Sequence, residues 1–333
     1  MSKINKNIFF MDIGARFGLQ WPWSNISDEI TTIMVEPDPL EASNLREKYK
    51  NKKNVIIIDK PLYSSKTNLN LHITDSPGSS SIFRPNYDFL KQFPDVQRFN
   101  ISKVLNFNCD TIDNLFDQKI VNCIDFVKID VQGAELEILK GGKKIFKSNL
   151  IGLEIEVEFC ELYKNQPLFS DLDHFIRNEL GLELWDISKT YWKYQINDLK
   201  IGSKKGRLIF GDALYFRPIN SLNIWLDSFD QEKKKSKILA LVECTVLYGY
   251  IDYAKAIIEN IKIIEILNDH EKFYLNQLIS KNSSSFTYNF RWSYKIYLFL
   301  IYLVNIFKPT HDNWASRGDS ELGSRKYANK FWR

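Results

Sequence analysis

Short apolar runs and amphipathic segments alternate along the first two-thirds of the chain. Runs of β-branched residues predict strands, and the segments between them repeat apolar positions at the 3.6-residue period of helices. The predicted strands cover residues 7–13, 32–36, 54–58, 123–130, 151–158, 182–187 and 207–216, and the predicted helices cover 40–49, 134–146 and 170–180. Strands that alternate with helices are typical of an α/β fold with a mostly parallel sheet.

A long insertion separates the third and fourth predicted strands. Residues 67–73 alternate between apolar and polar side chains, which predicts an extra edge strand. Residues 75–106 are rich in Ser, Pro and Asn. Loops of this length inside a compact domain usually serve as lids or substrate loops, so we expect the insertion to be functional.

Helical periodicity replaces the alternating pattern after residue 218. The segments 222–230, 236–247 and 253–266 predict helices, and 274–278 and 292–307 continue the pattern. We therefore divide the chain into a domain of residues 1–218, a small all-α unit of residues 219–308 and a polar tail of residues 309–333 that we expect to be loose.

Composition excludes several classes of protein. The chain has 333 residues, 44% of them hydrophobic and 26% charged, which is ordinary for a globular protein. Its formal net charge of +4 is too small to indicate a nucleic-acid partner, and we expect none. The four cysteines lie far apart without a C-x-x-C pair, so neither a disulfide framework nor a zinc site is indicated. No signal-peptide pattern is recognisable, and we expect a cytoplasmic protein.

The end of the first predicted strand carries a turn suited to ligand binding. The pattern Asp12-x-Gly14-x-x-x-Gly18 lets the chain turn sharply and lets backbone N–H groups approach a ligand. It differs from the G-x-G-x-x-G spacing of dinucleotide sites, and an acid here favours a cationic ligand over a pyrophosphate. Glu36 ends the second strand 22 residues after Gly14, at the distance where an acid hydrogen-bonds ribose hydroxyls. These acids favour S-adenosylmethionine over NAD as the ligand; the alternative is a tight strand–helix turn without a ligand.

Acids also end the fourth and fifth predicted strands. Asp130 follows the fourth strand, at the edge where open parallel sheets bind their ligands. Glu154, Glu156 and Glu158 share one face of the fifth strand, and charges on a buried strand are costly unless they are paired or functional. We expect Glu154 to be paired deeper in the sheet, and Glu156 and Glu158 to belong to the site. An alternative is a divalent cation held by Asp130 and Glu156, although the site that we predict contains no metal.

Several motifs occur in the order found in one enzyme family. They are Asp12-Ile-Gly-Ala, Glu36-Pro-Asp-Pro, Thr111-Ile-Asp-Asn-Leu, Val127-Lys-Ile-Asp-Val-Gln-Gly-Ala-Glu, Glu156-Val-Glu-Phe and Gly211-Asp-Ala-Leu-Tyr-Phe. Over residues 7–217 the chain resembles the FkbM family of S-adenosylmethionine-dependent methyltransferases. The resemblance implies a Rossmann-like class I methyltransferase fold, with a seven-stranded, mostly parallel sheet whose last strand is antiparallel, and methyl transfer to oxygen.

The resemblance also implies roles for residues of this chain. The implied cofactor-binding residues are Asp12, Gly14, Ala15 and Gly18 around the methionine end, Glu36 and Pro37 at the ribose, Asp59 and Leu62 along the adenine, and Asp130 near the methyl group. Arg16 and Phe17 stand where the family more often has Asn and a small residue. We therefore expect the loop to keep the path that it has in the family, and we leave its direct contacts open.

Methyl transfer from a sulfonium to a hydroxyl requires a positioned base that takes the hydroxyl proton. Our candidates for this base are Asp130, then Glu156, then His174. His174 lies in a predicted helix, where a histidine is more often an ordinary surface or core residue. The positions of four further residues make them candidates for contact with the acceptor: Ser80, Arg84, Glu158 and Tyr163.

The acceptor that the resemblance implies is a hydroxyl of a surface glycan or of a lipid-linked saccharide. One alternative is an O-methyltransferase that acts on a polyketide or another natural product. A second alternative is a catalytically inactive methyltransferase-like binding module that associates with glycosyltransferases through residues 219–333. An NAD-dependent sugar oxidoreductase is disfavoured because the G-x-G-x-x-G spacing is missing.

The segment of residues 281–308 is aromatic and basic, with nine aromatic residues, four basic residues and no acid. Aromatic residues flanked by Lys and Arg are typical of segments at a membrane interface. Its longest apolar run, residues 296–307, is shorter than the ~20 residues of a membrane-spanning helix. The segment therefore indicates either peripheral contact with the inner membrane face or an ordinary packed helix with Tyr and Trp at its rim.

Overall fold

The computed structural model describes residues 8–195, 206–283, 292–307, 314–317 and 322. Its strands are β1 (Phe9–Ile13), β2 (Thr31–Val35), β3 (Val55–Ile58), β4 (Asn68–Thr74), β5 (Ile101–Asn108), β6 (Phe126–Ile129), β7 (Gly152–Glu158), β8 (Glu183–Ile187), β9 (Thr190–Trp192), β10 (Arg207–Phe216) and β11 (Ala315–Arg317). Each of the seven strands predicted for the main sheet is present, with ends shifted by up to three residues.

The main sheet is mostly parallel. In the described part of the chain its order is β11-β9-β10-β7-β6-β1-β2-β3, and β8 also pairs with β10. The five adjacent strands β3, β2, β1, β6 and β7 run parallel to one another. Strand β10 is antiparallel to both β7 and β8. Seven strands therefore form the sheet that the sequence predicts, with the last strand antiparallel, and β9 and β11 extend it at one edge.

The order of the strands creates a crevice at one end of the sheet. The chain runs outward from β1 through β2 to β3 and then returns to the other side of β1 as β6. Strand order thus reverses at β1, and ligands of open α/β sheets bind outside the carboxyl ends of the strands at this point.

Helices connect the strands and cover both faces of the sheet. They are α1 (Pro39–Lys48), α2 (Tyr87–Leu90), α3 (Ile112–Asp117), α4 (Glu135–Gly141), α5 (Lys143–Asn149), α6 (Phe169–Phe175), α7 (Ile219–Leu226), α8 (Gln231–Leu247), α9 (Ile251–Glu259), α10 (Ile261–Ile264), α11 (Asp269–Ser283) and α12 (Ser293–Phe307). The helix predicted at 134–146 is two helices that meet at Gly142. The helix predicted at 253–266 is divided at Asn260, whose side chain caps α10 by accepting a hydrogen bond from the N–H of Lys262.

The insertion after β3 is a folded ribbon rather than a loop. The strand expected at 67–73 is β4, but it does not join the edge of the main sheet; it pairs antiparallel with β5 in a separate two-stranded sheet. Between these strands lie α2 and two short 3-10 helices, Pro77–Ser79 and Val96–Phe99. The loop expected over 75–106 is therefore partly regular, because its last residues belong to β5, which pairs with β4.

Alternate residues of the central strands build two cores. Met11 points into a core that the sheet shares with α3 to α6, and Phe10 points into a core that it shares with α7 to α11. A buried ion pair joins α8 to the sheet. Nζ of Lys237 in α8 lies 2.5 Å from Oδ1 of Asp125, the residue before β6. The C-terminal helices α7 to α11 thus pack directly on the sheet.

Two features near the end of the described chain complete the fold. Residues 314–317 of the predicted loose tail include β11, which pairs antiparallel with β9, so this part of the tail is ordered by the sheet. The remainder of the tail, apart from Leu322, lies outside the described residues. Among the described helices, none combines the length and the apolar character that a membrane span requires.

Candidate active site at the carboxyl ends of the strands

A cavity of about 210 Å³ opens at the carboxyl ends of β1, β2 and β6. Six residues that the sequence analysis assigned to the site line it: Gly14, Glu36, Pro37, Leu62, Ser80 and Asp130. The ribbon of β4 and β5 supplies the opposite wall, with the apolar side chains Leu69, Leu71, Ile73 and Phe107. The strand ends therefore meet under an apolar roof, at the point where the topology predicts a ligand.

The loop after β1 is held close to its neighbours. The N–H groups of Gly14 and Ala15 both donate to the carbonyl of Val35, over 3.0 and 3.1 Å. Gly14 has a φ of 92°, and a Cβ at this position would lie 2.0 Å from the carbonyl oxygen of Asp130. Only glycine fits here, because the loop after β1 and the backbone of Asp130 approach each other too closely for a side chain.

Ala15 and Gly18 support this loop without lining the cavity. Ala15 is buried against Met34 and Leu45 below the loop. Gly18 has a φ of 74°, and a Cβ there would lie 2.7 Å from the hydroxyl of Tyr49. Their expected role in holding the ligand is therefore indirect, through the shape of the loop.

Asp12 lies on β1 directly behind the cavity and is 3% exposed. Its Oδ1 atom has no hydrogen-bond partner among the described residues. Burial raises the pKa of Asp12 to about 6; the charge of Lys128 opposes this increase, and that of Asp130 adds to it. An unpartnered buried carboxylate is unfavourable for folding, which indicates that it has a role in binding.

Glu36 at the end of β2 is buried in the cavity wall. Its Oε1 accepts a hydrogen bond from the N–H of Asp38 over 2.9 Å, and burial raises its pKa. Arg16 lies above it and pairs with Asp38, with Nη2 2.9 Å from Oδ2. Nη1 of Arg16 also donates to the carbonyl of Pro77 over 2.7 Å, which connects the loop after β1 to the ribbon insertion.

Gln132 organises the acids at the ends of β6 and β7. Its Nε2 donates to Oδ1 of Asp130 over 3.1 Å and to Oε2 of Glu156 over 2.6 Å. Lys128 lies 3.5 Å from Asp130, and the surrounding carboxylates raise the pKa of this lysine despite its burial. The amide of Gln132 thus donates to both Asp130 and Glu156, the two residues that we considered as ligands of a cation.

Glu156 also belongs to a cluster of three carboxylates (Glu135, Glu156 and Glu158) next to Asp130. Their nearest carboxylate oxygens lie within 4.8 Å of one another, and all three side chains are buried. Burial and mutual repulsion raise the pKa of Glu156 and of Glu158, and burial raises that of Glu135 to about 7. Because like charges at this distance disfavour ionisation, these carboxyl groups bind protons more tightly than an isolated glutamate does.

Tyr163 connects this cluster to the insertion. Its hydroxyl donates to the carbonyl of Ser79 over 2.8 Å and lies 3.3 Å from Oε1 of Gln132. Burial raises the pKa of Tyr163 well above its ordinary value, so the hydroxyl stays protonated. Of the residues expected to contact the acceptor, Ser80 lines the cavity, whereas Glu158 and Tyr163 do not.

Three predicted site residues lie elsewhere. His174 is exposed on α6, where its Nδ1 lies 3.2 Å from Nδ2 of Asn178, so the structure does not support its role as a base. Asp59 is exposed, and its Oδ2 lies 2.7 Å from Nη2 of Arg46. It does not line the cavity, whereas Leu62 does. Arg84 lines a separate cleft beside the ribbon rather than the cavity itself.

Sequence analysis missed several residues that shape the site. Gln132 and Glu135 both occur inside a recognised motif, but neither was selected as a site residue. The apolar wall from β4 and β5 was also missed. Its signal is present in the sequence, because Leu105 and Phe107 alternate with Asn106 and Asn108 opposite the alternating residues of β4.

Comparison with known proteins identifies a matching family. The family model described as "Methyltransferase FkbM domain" matches residues 12–183, more than half of the 333 residues. A search of curated proteins finds no match.

Three solved structures are similar to this chain. The methyltransferase FkbM from Methylobacillus flagellatus is 15% identical to this chain, with a TM-score of 0.37. The match covers 63% of this chain and 44% of that protein, so this chain spans less than half the length of the Methylobacillus protein. M. capricolum TrmK, solved in complex with S-adenosyl-homocysteine, is 11% identical with a TM-score of 0.33, over 84% of this chain and 93% of TrmK. The precorrin-6y C5,15-methyltransferase from Geobacter metallireducens is 11% identical with a TM-score of 0.30, over 65% and 84% of the two chains.

Proposed function

The chain belongs to the FkbM methyltransferase family, and we propose that it is an S-adenosylmethionine-dependent O-methyltransferase that acts on a saccharide hydroxyl. The observation that carries the proposal is the cavity with Glu36 and Asp130 in its wall and, behind it, the buried carboxylate of Asp12, whose Oδ1 has no hydrogen-bond partner among the described residues. These acids lie at the ends of three adjacent parallel strands, where class I methyltransferase sheets bind their ligand.

The residues of the cavity fit S-adenosylmethionine. This cofactor supplies an electrophilic methyl group on a positively charged sulfonium. Asp12 and Asp130 provide negative charge for its cationic end, and Gly14 lets the loop after β1 pass close to the backbone of Asp130. Glu36 offers carboxylate oxygens to the ribose hydroxyls, and Leu62 with the apolar wall of the ribbon suits the adenine.

Asp130 is the residue that we assign as general base. It is in the cavity wall, where Gln132 and Lys128 hold its two carboxylate oxygens, so its orientation is fixed. Burial and the neighbouring carboxylates raise the pKa of Glu156, and the same Gln132 amide connects this residue to Asp130. Asp130 is thus held in place to take the hydroxyl proton of the acceptor.

A second cleft supports a saccharide as the acceptor. It has a volume of about 490 Å³ and shares Leu69 and Ile82 with the cavity. Its wall contains polar and aromatic side chains, namely Tyr63, Asn68, Asn70, His72, Phe83, Arg84, Lys164 and Asn165. Amide, imidazole and cationic groups match the hydrogen-bonding hydroxyls of a sugar, and aromatic rings match its apolar faces.

Methyl transfer from labelled S-adenosylmethionine to a panel of neutral and acidic oligosaccharides tests the proposal. We expect incorporation with at least one saccharide, and a decrease in kcat of about 10²–10⁴-fold in Asp130→Asn, the range for loss of a general base. His174→Asn is the matched control, because this exposed histidine lies outside the cavity, and it should retain full activity. Saccharide binding without any transfer by the wild-type protein would instead support the inactive binding module.

A further inference from the structure

Helix α12 exposes a continuous apolar surface. Ten large apolar or aromatic side chains in the described residues 292–304 are between 38% and 69% exposed: Trp292, Tyr294, Ile296, Tyr297, Leu298, Phe299, Leu300, Ile301, Tyr302 and Val304. Soluble proteins rarely leave contiguous apolar patches in water, so a surface of this kind indicates an interaction site.

The exposed side chains surround the helix. Residues 296–302 are consecutive, and successive residues are about 100° apart around a helix axis, so these seven positions cover every direction. A groove on a protein, or a second helix, buries one face or one stripe of its partner. An environment that is apolar on several sides at once, such as a lipid bilayer, accommodates the whole of α12.

We propose that α12 inserts into the surface of a lipid bilayer and anchors the protein there. The helix has 15 residues and is about 22 Å long at 1.5 Å per residue, which is shorter than the ~30 Å hydrocarbon core. It therefore enters one leaflet without crossing the membrane. This inference goes beyond the proposed reaction and does not depend on it.

Polar groups at the start of α12 match a membrane interface that carries anionic lipid. Nζ of Lys295 lies 4.6 Å from the ring centre of Trp292, which combines an interfacial aromatic residue with a positive charge. The sequence from 281 to 308 contains four basic residues and no acid. This charge is complementary to anionic phospholipid headgroups, which attract nearby Lys and Arg.

Flotation of the full-length protein with vesicles tests the proposal. We expect the protein to float with vesicles of phosphatidylcholine and phosphatidylglycerol, and to bind less to phosphatidylcholine alone or at high salt. The triple variant Ile296→Ser, Leu300→Ser and Val304→Ser should have an at least tenfold lower partition coefficient. A control variant with three substitutions elsewhere, at residues that are at least as exposed, is Ile120→Ser, Ile224→Ser and Ile261→Ser; it should bind like the wild type.

Fluorescence and mass measurements distinguish the bilayer from a second copy of the chain. Brominated lipids should quench part of the tryptophan fluorescence, and Trp292→Phe should remove that part. Wild-type protein that stays unbound with anionic vesicles at low salt would overturn the proposal. So would a wild-type dimer that the α12 variant converts to a monomer in light scattering while neither protein binds vesicles. Neither result bears on methyl transfer, which is measured without vesicles.

Discussion

Single residues at the site are placed where stability alone does not favour them. Asp12 is a buried carboxylate with an unpartnered oxygen, and burial, together with nearby carboxylates, raises the pKa values of Glu135, Glu156 and Glu158. Carboxylates that are buried and ionised reduce the free energy of unfolding unless a ligand compensates their charge. The arrangement therefore favours a cationic ligand at the site.

The substitution Asp12→Asn should stabilise the protein at neutral pH. Folding raises the pKa of Asp12 from 3.8 to about 6, so the folded protein binds this proton more tightly than the unfolded chain. Asp12 thus reduces the free energy of unfolding progressively as the pH rises from about 4 to about 6, and by about 2–3 kcal/mol above that range. Urea unfolding at several pH values should show Asp12→Asn more stable at pH 7, with the difference vanishing near pH 4.

Asp59→Asn is the control for this experiment. Its carboxylate is exposed and pairs with Arg46, which lowers its pKa, so removal of its charge should not stabilise the protein at any of these pH values. An Asp12→Asn protein that is less stable than the wild type at pH 7 would contradict our account of Asp12.

At the scale of elements, two segments far apart in sequence close over the cavity. The loop after β1 and the Pro77–Ser79 helix meet through Arg16, which contacts both Asp38 and the carbonyl of Pro77. The family more often has Asn where this chain has Arg16. We infer that the contacts of Arg16 hold the ribbon insertion over the bound cofactor.

Arg16→Ala should therefore accelerate dissociation of S-adenosylmethionine. Loss of charge-assisted hydrogen bonds worth about 1.4 kcal/mol corresponds to a tenfold weaker affinity, and most of such a change lies in the dissociation rate. Arg16→Lys retains the charge but loses the two-sided contact, so its effect should be intermediate. A stopped-flow dissociation rate that is the same in all three proteins would show that Arg16 does not fasten the insertion.

The sequence predicts the elements whose pattern is local and misses those that depend on distant contacts. Strands β1, β2 and β6 were found from their apolar runs, and the acids that end them were found because parallel strand ends share one edge. Strand β5 was missed because most of its residues are exposed and its order comes from pairing with β4. Gln132 was missed because the hydrogen bond that distinguishes it joins it to Glu156, 24 residues away. His174 lies on the surface of its helix, in agreement with the commoner interpretation of a histidine at such a position.

At the scale of the whole molecule, the C-terminal helices are part of the sheet's packing. Helices α7 to α11 cover one face of the sheet, and Lys237 reaches through this layer to Asp125 and to the carbonyls of Ile124 and Asn149. A boundary near residue 218 in the sequence therefore does not separate independent cores. The sequence pattern alone cannot reveal this, because the apolar face of each helix does not specify what it packs against.

Lys237→Met should strongly destabilise the protein, because it leaves the charge of Asp125 buried without its partner. We expect a loss of about 3–5 kcal/mol in the free energy of unfolding. The double variant Asp125→Asn and Lys237→Met removes both charges and should recover most of this loss. In the wild type the carboxylate of Asp125 accepts a hydrogen bond from the N–H of Phe9, and the side-chain amide of the variant still offers an oxygen for this bond. Urea unfolding measures both changes; equal losses in the single and double variants would contradict this account of the ion pair.

Calorimetric titration of the purified protein with S-adenosylmethionine tests the central claim most directly. We predict saturable one-to-one binding by the wild type, at least tenfold weaker binding by Glu36→Ala, and unchanged binding by the control His174→Asn. Titration with NAD should give no binding. A folded wild-type protein that binds NAD, or that binds S-adenosylmethionine equally well without Glu36, would contradict the assignment of this cavity as the cofactor site.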